Sequence, residues 1–343
     1  MKTVRLGKTE LMVTKPAMGC LPVQRCTEED AVKLLRAAYE GGINYFDTAN
    51  VYTDSEKKMG LALSDVRDKI IISTKSAATT RKGVLEHIEN SLRMMKTDYI
   101  DLFQLHKVPE VPDFDDPEGM WAGAVEAKER GWIGHIGVTA HRIDVAEECI
   151  KTGRFETLQF PFSYISSERD LALAEKCKEA DMGFIAMKGL AGGLLGVNPK
   201  ACHAFMNLYD NVVPIWGIQH MEELEQWLAL AEEDPQMDEE LSAQIKKDRQ
   251  ELSGNFCRSC GYCMPCTVGI EIRECARMAM NIRRAPWRPF FTQEWRDKMA
   301  QIENCVDCGL CKSRCPYELD TPNLLKYMLK DYNEFYEAHK HLL

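Results

Sequence analysis

The sequence predicts a two-part α/β protein: a (β/α)8 TIM barrel followed by a small, mostly helical, cysteine-rich module. Three observations lead there. Eight short apolar runs alternate with helical segments from the N-terminus to about residue 232. Beyond Asp234 the alternation stops and a charged helical stretch begins. Eight of the 14 cysteines then fall in two tight runs, 257–266 and 305–315. The division is placed at 1–235 for the barrel and 236–343 for a linker helix, the cysteine module and a C-terminal helix.

The eight runs are Pro16–Cys20, Ile43–Asp47, Lys69–Thr74, Ile100–His106, Ile133–Thr139, Thr157–Phe160, Gly183–Lys188 and Val212–Gly217. Eight strands, each followed by a helix, exceed the usual five or six of an open doubly wound sheet and fit a closed barrel. An earlier run, Val4–Val13 around Gly7, lies outside the count and reads as a hairpin. Between the runs, Thr27 is an N-cap with Asp30 at N3, and Gly41 closes that helix. Residues 81–96 place Val84, Leu85, Ile88, Leu92 and Met95 near a 3.6-residue period. Further helices are expected at 117–130, 144–152, 168–181, 199–209 and 221–232. Residues 238–253 read as a charged amphipathic helix, and the tail, 322–343, as a helix with Leu324, Leu325, Tyr327 and Met328 on its apolar side.

The formal charge is −10, which argues against a nucleic-acid or membrane-surface partner. The opening MKTVRLGKTE lacks the apolar core of a leader peptide, and no run of about 20 apolar residues is present. The expected setting is the cytoplasm, where disulfides are rare and clustered cysteines mean metal or redox chemistry.

The second cysteine run reads Cys305-Val-Asp-Cys308-Gly-Leu-Cys311-Lys-Ser-Arg-Cys315-Pro316. This C-x2-C-x2-C-x3-C-P spacing is that of bacterial ferredoxins. Two-residue gaps let three thiolates wrap one cluster, and the fourth cysteine is aimed at another. The first run, Cys257-Arg-Ser-Cys260-Gly-Tyr-Cys263-Met-Pro-Cys266, supplies the other half. Crossed ligation assigns Cys257, Cys260, Cys263 and Cys315 to one [4Fe–4S] cluster and Cys305, Cys308, Cys311 and Cys266 to a second. The first run departs from the pattern, because Pro265 precedes its last cysteine, and Cys275 is the alternative ligand at that end. Zinc and disulfides are the competing readings; triplets of two-residue gaps suit neither well.

In a barrel of this kind, chemistry sits at the C-terminal ends of the strands. Asp47 ends the second run and Lys75 follows the third. His106 ends the fourth, and Tyr52 lies in the loop after Asp47. Taken singly, each has a bland reading: a helix cap, a solvated charge, a satisfied polar group.

Together they resemble the aldo-keto reductase superfamily. The motifs are GINYFDTANVY, KIIISTK, SLRMMKTDYIDLFQLH and KERGWIGHIGVTAH, and the likeness covers roughly residues 1–230. With the cysteine module behind it, the chain resembles the iron–sulfur-containing branch of that family. The resemblance implies an oxidoreductase acting on a small carbonyl or alcohol. Tyr52 would be the general acid, Lys75 would lower its pKa, Asp47 would hold Lys75, and His106 would orient the carbonyl.

It also implies a nicotinamide site at Thr139, His141, Gln159, Phe162, Lys188, Gly217 and Gln219. Here the chain departs from the family. Thr139-Ala140-His141 replaces the usual Ser-Asn, and Phe162-Ser163 replaces Tyr-Asn. After the eighth run, Gln219-His220-Met-Glu222-Glu223 lacks a cation of constant charge. NAD(P)H is therefore expected without NADPH selectivity. Clusters move single electrons and hydride transfer moves two, so three readings stand open: a flavin at the barrel mouth, clusters that deliver electrons directly to a bound substrate, or clusters that are structural. Arg273, Arg277, Arg283, Arg284 and Arg288 form a candidate docking patch for an acidic ferredoxin- or flavodoxin-type electron carrier. An alternative role is that of an electron-transfer protein whose barrel binds a partner or flavin. Trp121, Tyr164 and Trp216 are candidates for pocket or core.

Overall fold

The computed structural model describes residues 1–252, 256–284 and 287–342, with Arg284 described in its backbone alone. The chain forms two compact units. One comprises Met1–Gly189 and Lys200–Gln244, the other Leu190–Pro199 and the chain from Ile245 onward. The division falls inside the helix Glu239–Glu251.

The first unit opens with an antiparallel hairpin, β1 (Lys2–Arg5) and β2 (Met12–Lys15). Eight parallel strands follow: β3 (Ala17–Gly19), β4 (Tyr45–Asp47), β5 (Ile71–Ser76), β6 (Ile100–Leu105), β7 (Ile133–Thr139), β8 (Thr157–Pro161), β9 (Gly183–Met187) and β10 (Val212–Gly217). Each pairs with the next, and β10 closes on β3 through Ile215↔Ala17 and Gly217↔Gly19, making a complete barrel. The strand count and order are those expected. The hairpin's Val4, Leu6 and Val13 share a core with Ala17, Tyr45, Leu102 and Val213 at the strands' N-terminal ends. That seals one mouth and leaves the other for chemistry. Gly7, at φ 55°, lies so near Gly183 N that an added Cβ would stand 2.2 Å away; only glycine fits that turn.

The flanking helices follow from local signals. In Glu28–Glu40, Thr27 Oγ1 accepts the Asp30 N–H at 3.1 Å, and Gly41 sits at the C-cap. Its Ala31, Leu34, Leu35 and Ala38 are buried at i, i+3, i+4 and i+7. Each buried leucine contributes about 2 kcal/mol. Ser167 and Asp170 form a capping box ahead of Glu168–Glu179. A helix that sequence periodicity missed, Ser55–Leu63, buries the polar Ser55, Glu56 and Lys58 beside Met59 and Leu63.

The second unit has no strand among its described residues. Short helices, Ile272–Cys275, Met278–Arg284 and Gln293–Ala300, gather against the long helix Thr321–His339. Their core holds Ile272, Met278, Phe291, Met299, Leu325 and Met328. Phe291 stacks on Tyr332 with ring centroids 4.7 Å apart. No described helix is long and apolar enough to cross a membrane.

Candidate functional sites: a barrel-mouth tetrad and two thiol-lined cavities

Successive strand ends bring Asp47, Lys75 and His106 to one mouth of the barrel. Asp47 is the last residue of β4 and Lys75 the penultimate residue of β5; they are 2% and 1% exposed. Lys75 Nζ donates to Asp47 Oδ2 at 2.6 Å and to the Thr48 carbonyl at 2.5 Å. Asp47 Oδ1 accepts from Ser73 Oγ at 2.5 Å and from Gln104 Nε2 at 3.2 Å. Gln104 also donates to Gln159 Oε1 at 2.9 Å. An ion pair this deep persists because both charges are hydrogen-bonded as well as paired; removing one partner of such a pair costs about 3–5 kcal/mol.

Tyr52 lies in the turn between β4 and Ser55–Leu63, held by its N–H on the Ala49 carbonyl at 2.9 Å. Its ring centroid is 5.6 Å from Lys75 Nζ and 6.1 Å from the His106 ring, edge to face. The expected lowering of the Tyr52 pKa by Lys75 does not appear. Burial first, then the negative charge of Asp47, pushes the phenol above its ordinary value. The Lys75 ammonium donates to Asp47 and to the Thr48 carbonyl, and after burial it is the Asp47 charge that acts most strongly on the phenol. Tyr52 therefore keeps its proton at neutral pH.

His106 follows β6 directly, with its N–H on the Ser76 carbonyl at 2.8 Å. Burial, then Lys75 and Lys107, depresses its pKa to about 2. The ring is neutral and presents one N–H donor and one acceptor. Its Nδ1 is buried with no hydrogen-bond partner among the described residues.

The residues expected at a nicotinamide separate into three groups. Thr139 Oγ1 accepts the Lys107 N–H at 2.7 Å, and its carbonyl accepts from Val108 N at 3.1 Å, so it braces the loop behind His106. Gln159 joins the tetrad through Gln104. His141 is buried, and burial followed by the positive Lys188 and Lys107 holds its imidazole well below the usual range. Lys188 is half-buried just past β9. Phe162 is 1% exposed, and its ring packs on Phe184, Phe205 and Tyr209 at 5.1–5.8 Å as part of the barrel's aromatic core. Trp216 likewise stacks on Trp227 at 3.9 Å, Tyr164 is fully buried, and Trp121 packs on Phe114 and Phe155.

The third group is Gly217 and Gln219, after β10. Glu223 Oε2 accepts the N–H groups of Gln219 at 2.7 Å and His220 at 3.1 Å, capping the helix Met221–Glu233 with the chain's own carboxylate. Free N–H groups at such an end are the usual seat of a phosphate; here an anion already holds them.

In the second unit, the eight clustered cysteines surround two cavities. Cys257, Cys260, Cys263 and Cys315 line one, with Arg258 and Tyr317. Cys266, Cys305, Cys308 and Cys311 line another, which Cys263 also borders. The lining brings Cys315 to the triplet of the first run and Cys266 to that of the second, with Cys263 at both. Cys275 lines neither; its Sγ donates to the Lys298 carbonyl at 3.6 Å. All 14 cysteines are outside disulfides. Burial raises the Cys263 thiol to about 12 and raises Cys257 too, so thiolates there require adjoining positive charge, which cluster iron supplies. Among the described residues, no three His, Cys, Asp or Glu side chains converge on a single ion. Three thiols at two-residue gaps, joined by a fourth from the other run, suit a multi-iron cluster better than one zinc ion.

The expected arginine patch is corrected at one position. Arg277 is 7% exposed and donates to the Ala191 and Gly192 carbonyls, so it is no part of a docking surface. Arg283 is paired with Asp331 at 2.7 Å, and Arg288 lies 5.6 Å from the Trp287 ring. The side chain of Arg284 lies outside the described residues.

A parallel barrel with a buried Lys–Asp pair at its mouth, joined to a thiol-rich helical module, defines a class of protein that the comparisons make specific. Residues 17–201 match the aldo/keto reductase family and residues 256–320 match a 4Fe-4S dicluster domain. The chain belongs to the aldo/keto reductase family and carries a 4Fe-4S dicluster domain behind the barrel. It is 30% identical over 216 residues to the uncharacterized oxidoreductase YqkF of Bacillus subtilis, covering 58% of this chain and 68% of that one. It is 26% identical over 244 residues to the aldo-keto reductase AFTS1 of Alternaria alternata, covering 57% and 66%. The chain thus spans about two-thirds of the length of the curated relatives it matches. An aldo-keto reductase from Klebsiella pneumoniae, solved in complex with NADPH, shares the fold with a TM-score of 0.63 at 20% identity, covering 72% of this chain and 95% of that one. One from Bacillus halodurans, in its holo form, does so with a TM-score of 0.62 at 23% identity, covering 72% and 96%.

Proposed function

We propose that the chain is an oxidoreductase of a carbonyl or alcohol substrate bound at the barrel mouth, with electrons passing through two [4Fe–4S] clusters held in the crossed pattern. The barrel spans 1–235 and the cluster module 236–343. The reading rests chiefly on one observation: the buried Lys75–Asp47 pair, with the Tyr52 ring 5.6 Å from Lys75 Nζ and the His106 ring 6.1 Å from that of Tyr52. A scaffold gains nothing from a desolvated ion pair at a barrel mouth.

A bound nicotinamide supplies hydride, and each cluster carries one electron. The chain's own residues do the rest. Neutral His106 donates its N–H to the carbonyl oxygen and orients it. Tyr52 holds the proton that this oxygen takes up. As Tyr52 gives up that proton, the developing phenolate is stabilised by the Lys75 ammonium, which Asp47, Thr48 and the Ser73–Gln104 bonds keep in place. The self-capped helix end at Gln219 and His220 favours NADH over a cofactor with an added phosphate. A flavin is the two-to-one-electron link that the combination calls for, and an acidic ferredoxin- or flavodoxin-type carrier is the proposed partner.

Anaerobic turnover of a panel of aldehydes and ketones tests the acid. Tyr52→Phe should lower kcat by roughly 10²–10⁴ with iron content unchanged. Undiminished turnover in that variant would remove Tyr52 from the mechanism.

A further inference from the structure

Arg277 is a buried cation without a carboxylate. It is 7% exposed, and among the described residues no acid is paired with it. Its Nη2 donates to the Ala191 carbonyl at 3.0 Å and the Gly192 carbonyl at 2.9 Å. These are neutral acceptors in a tight turn: Ala191 has φ 49° and Gly192 φ 69°. A Cβ on Gly192 would come within 2.5 Å of Arg277 Nη1, so the turn and the guanidinium are built around each other. The Nε–H is buried and has no hydrogen-bond partner among the described residues. Buried charges are normally paired, because an isolated one costs several kcal/mol. The neighbouring Ala276 lines the cavity of Cys257, Cys260, Cys263 and Cys315. Burial lowers the Arg277 pKa; among the described residues, Cys257 as a thiolate favours its charged form and the nearby Arg273 opposes it.

The two cavities differ in this respect. Arg258 lines the Cys257 cavity, whereas no cation lines that of Cys266, Cys305, Cys308 and Cys311. The latter is also open to solvent at Cys308.

Resting on the two-cluster reading above, we infer that Arg277 is a positioning and charge-setting residue that raises the reduction potential of the cluster held by Cys257, Cys260, Cys263 and Cys315, and of that cluster alone. A four-thiolate cluster is net negative and becomes more so when it gains an electron. A fixed cation nearby favours the reduced form. The step balances simply: one electron enters from a one-electron donor, and no bond is made or broken.

The test uses the full chain, iron-loaded and kept anaerobic. Dithionite titration with redox mediators gives the two cluster midpoints, followed by electron paramagnetic resonance. Iron content is measured first. Wild-type protein should hold about eight iron atoms per chain; fewer than that overturns the two-cluster reading itself, whatever the midpoints do. In loaded protein, Arg277→Met should shift one midpoint to more negative potential and leave the other in place. Arg277→Lys, which keeps the charge but loses the fork and the Nε–H, should shift the same midpoint less. Arg283→Gln, which removes a surface cation already paired with Asp331, should move neither. Two unmoved midpoints in Arg277→Met, or two that move equally, would overturn the inference. If Arg277→Met does not load iron, Arg277→Lys decides alone: a negative shift of one midpoint supports the inference, and unmoved midpoints refute it.

Discussion

At the tetrad, each polar residue has a distinct electrostatic duty. Lys75 and Asp47 satisfy one another. Tyr52 is kept protonated by burial and by the Asp47 charge, and His106 is kept neutral by burial and by Lys75 and Lys107. His106 links the site to stability. Its folded pKa, about 2, lies below the ordinary value of 6.5, so the unfolded chain binds a proton that the folded chain refuses. The stabilising contribution is complete above pH 6.5 and is lost as pH falls toward the folded value. Chemical denaturation between pH 6.5 and 5 should therefore show stability falling with pH, above the range where most carboxylates titrate. His106→Gln should flatten that slope by up to about 1.4 kcal/mol per pH unit. An unchanged slope would mean that His106 is not neutral in the fold.

Residue types announced the tetrad because four of them fell at strand ends in matching motifs. Gln104 was harder to see, although it stands two residues before His106 on the same inward face of β6, where an amide in an apolar strand is a signal. Arg277 could not be told from its neighbours. Nothing in a run of arginines says which one is buried, and only the fold turns it toward the Ala191–Gly192 turn. In the sequence, Glu223 is only part of a stretch without a fixed cation. That it caps the Gln219 and His220 N–H groups is a fact of geometry.

At the level of elements, the barrel strands were legible because each is a short apolar run closed by turn residues, and the cysteine loops because ligand spacing is local. The helix Ser55–Leu63 was not, since it buries Ser55, Glu56 and Lys58, and a polar buried face carries no 3.6-residue apolar stripe. The helix Glu28–Glu40 shows the opposite case, with cap, stripe and C-cap all visible. Its Thr27→Ala variant should lose about 1 kcal/mol of stability, read from the denaturation midpoint, because the Asp30 N–H loses its acceptor. No loss would mean that water serves that N–H equally well.

For the whole molecule, the proposed function joins a two-electron site to one-electron carriers in a single chain. The barrel matches the aldo/keto reductase family and the second unit a 4Fe-4S dicluster domain. If the clusters only braced the module, they would have no reason to respond to a nicotinamide. The most direct test is anaerobic and needs no substrate: iron-loaded protein is scanned in the visible, NADH is added, and then, in a separate sample, NADPH. The account predicts that the broad iron–sulfur absorbance bleaches with NADH, and less readily with NADPH. Fully loaded clusters whose absorbance is untouched by either nucleotide would contradict it.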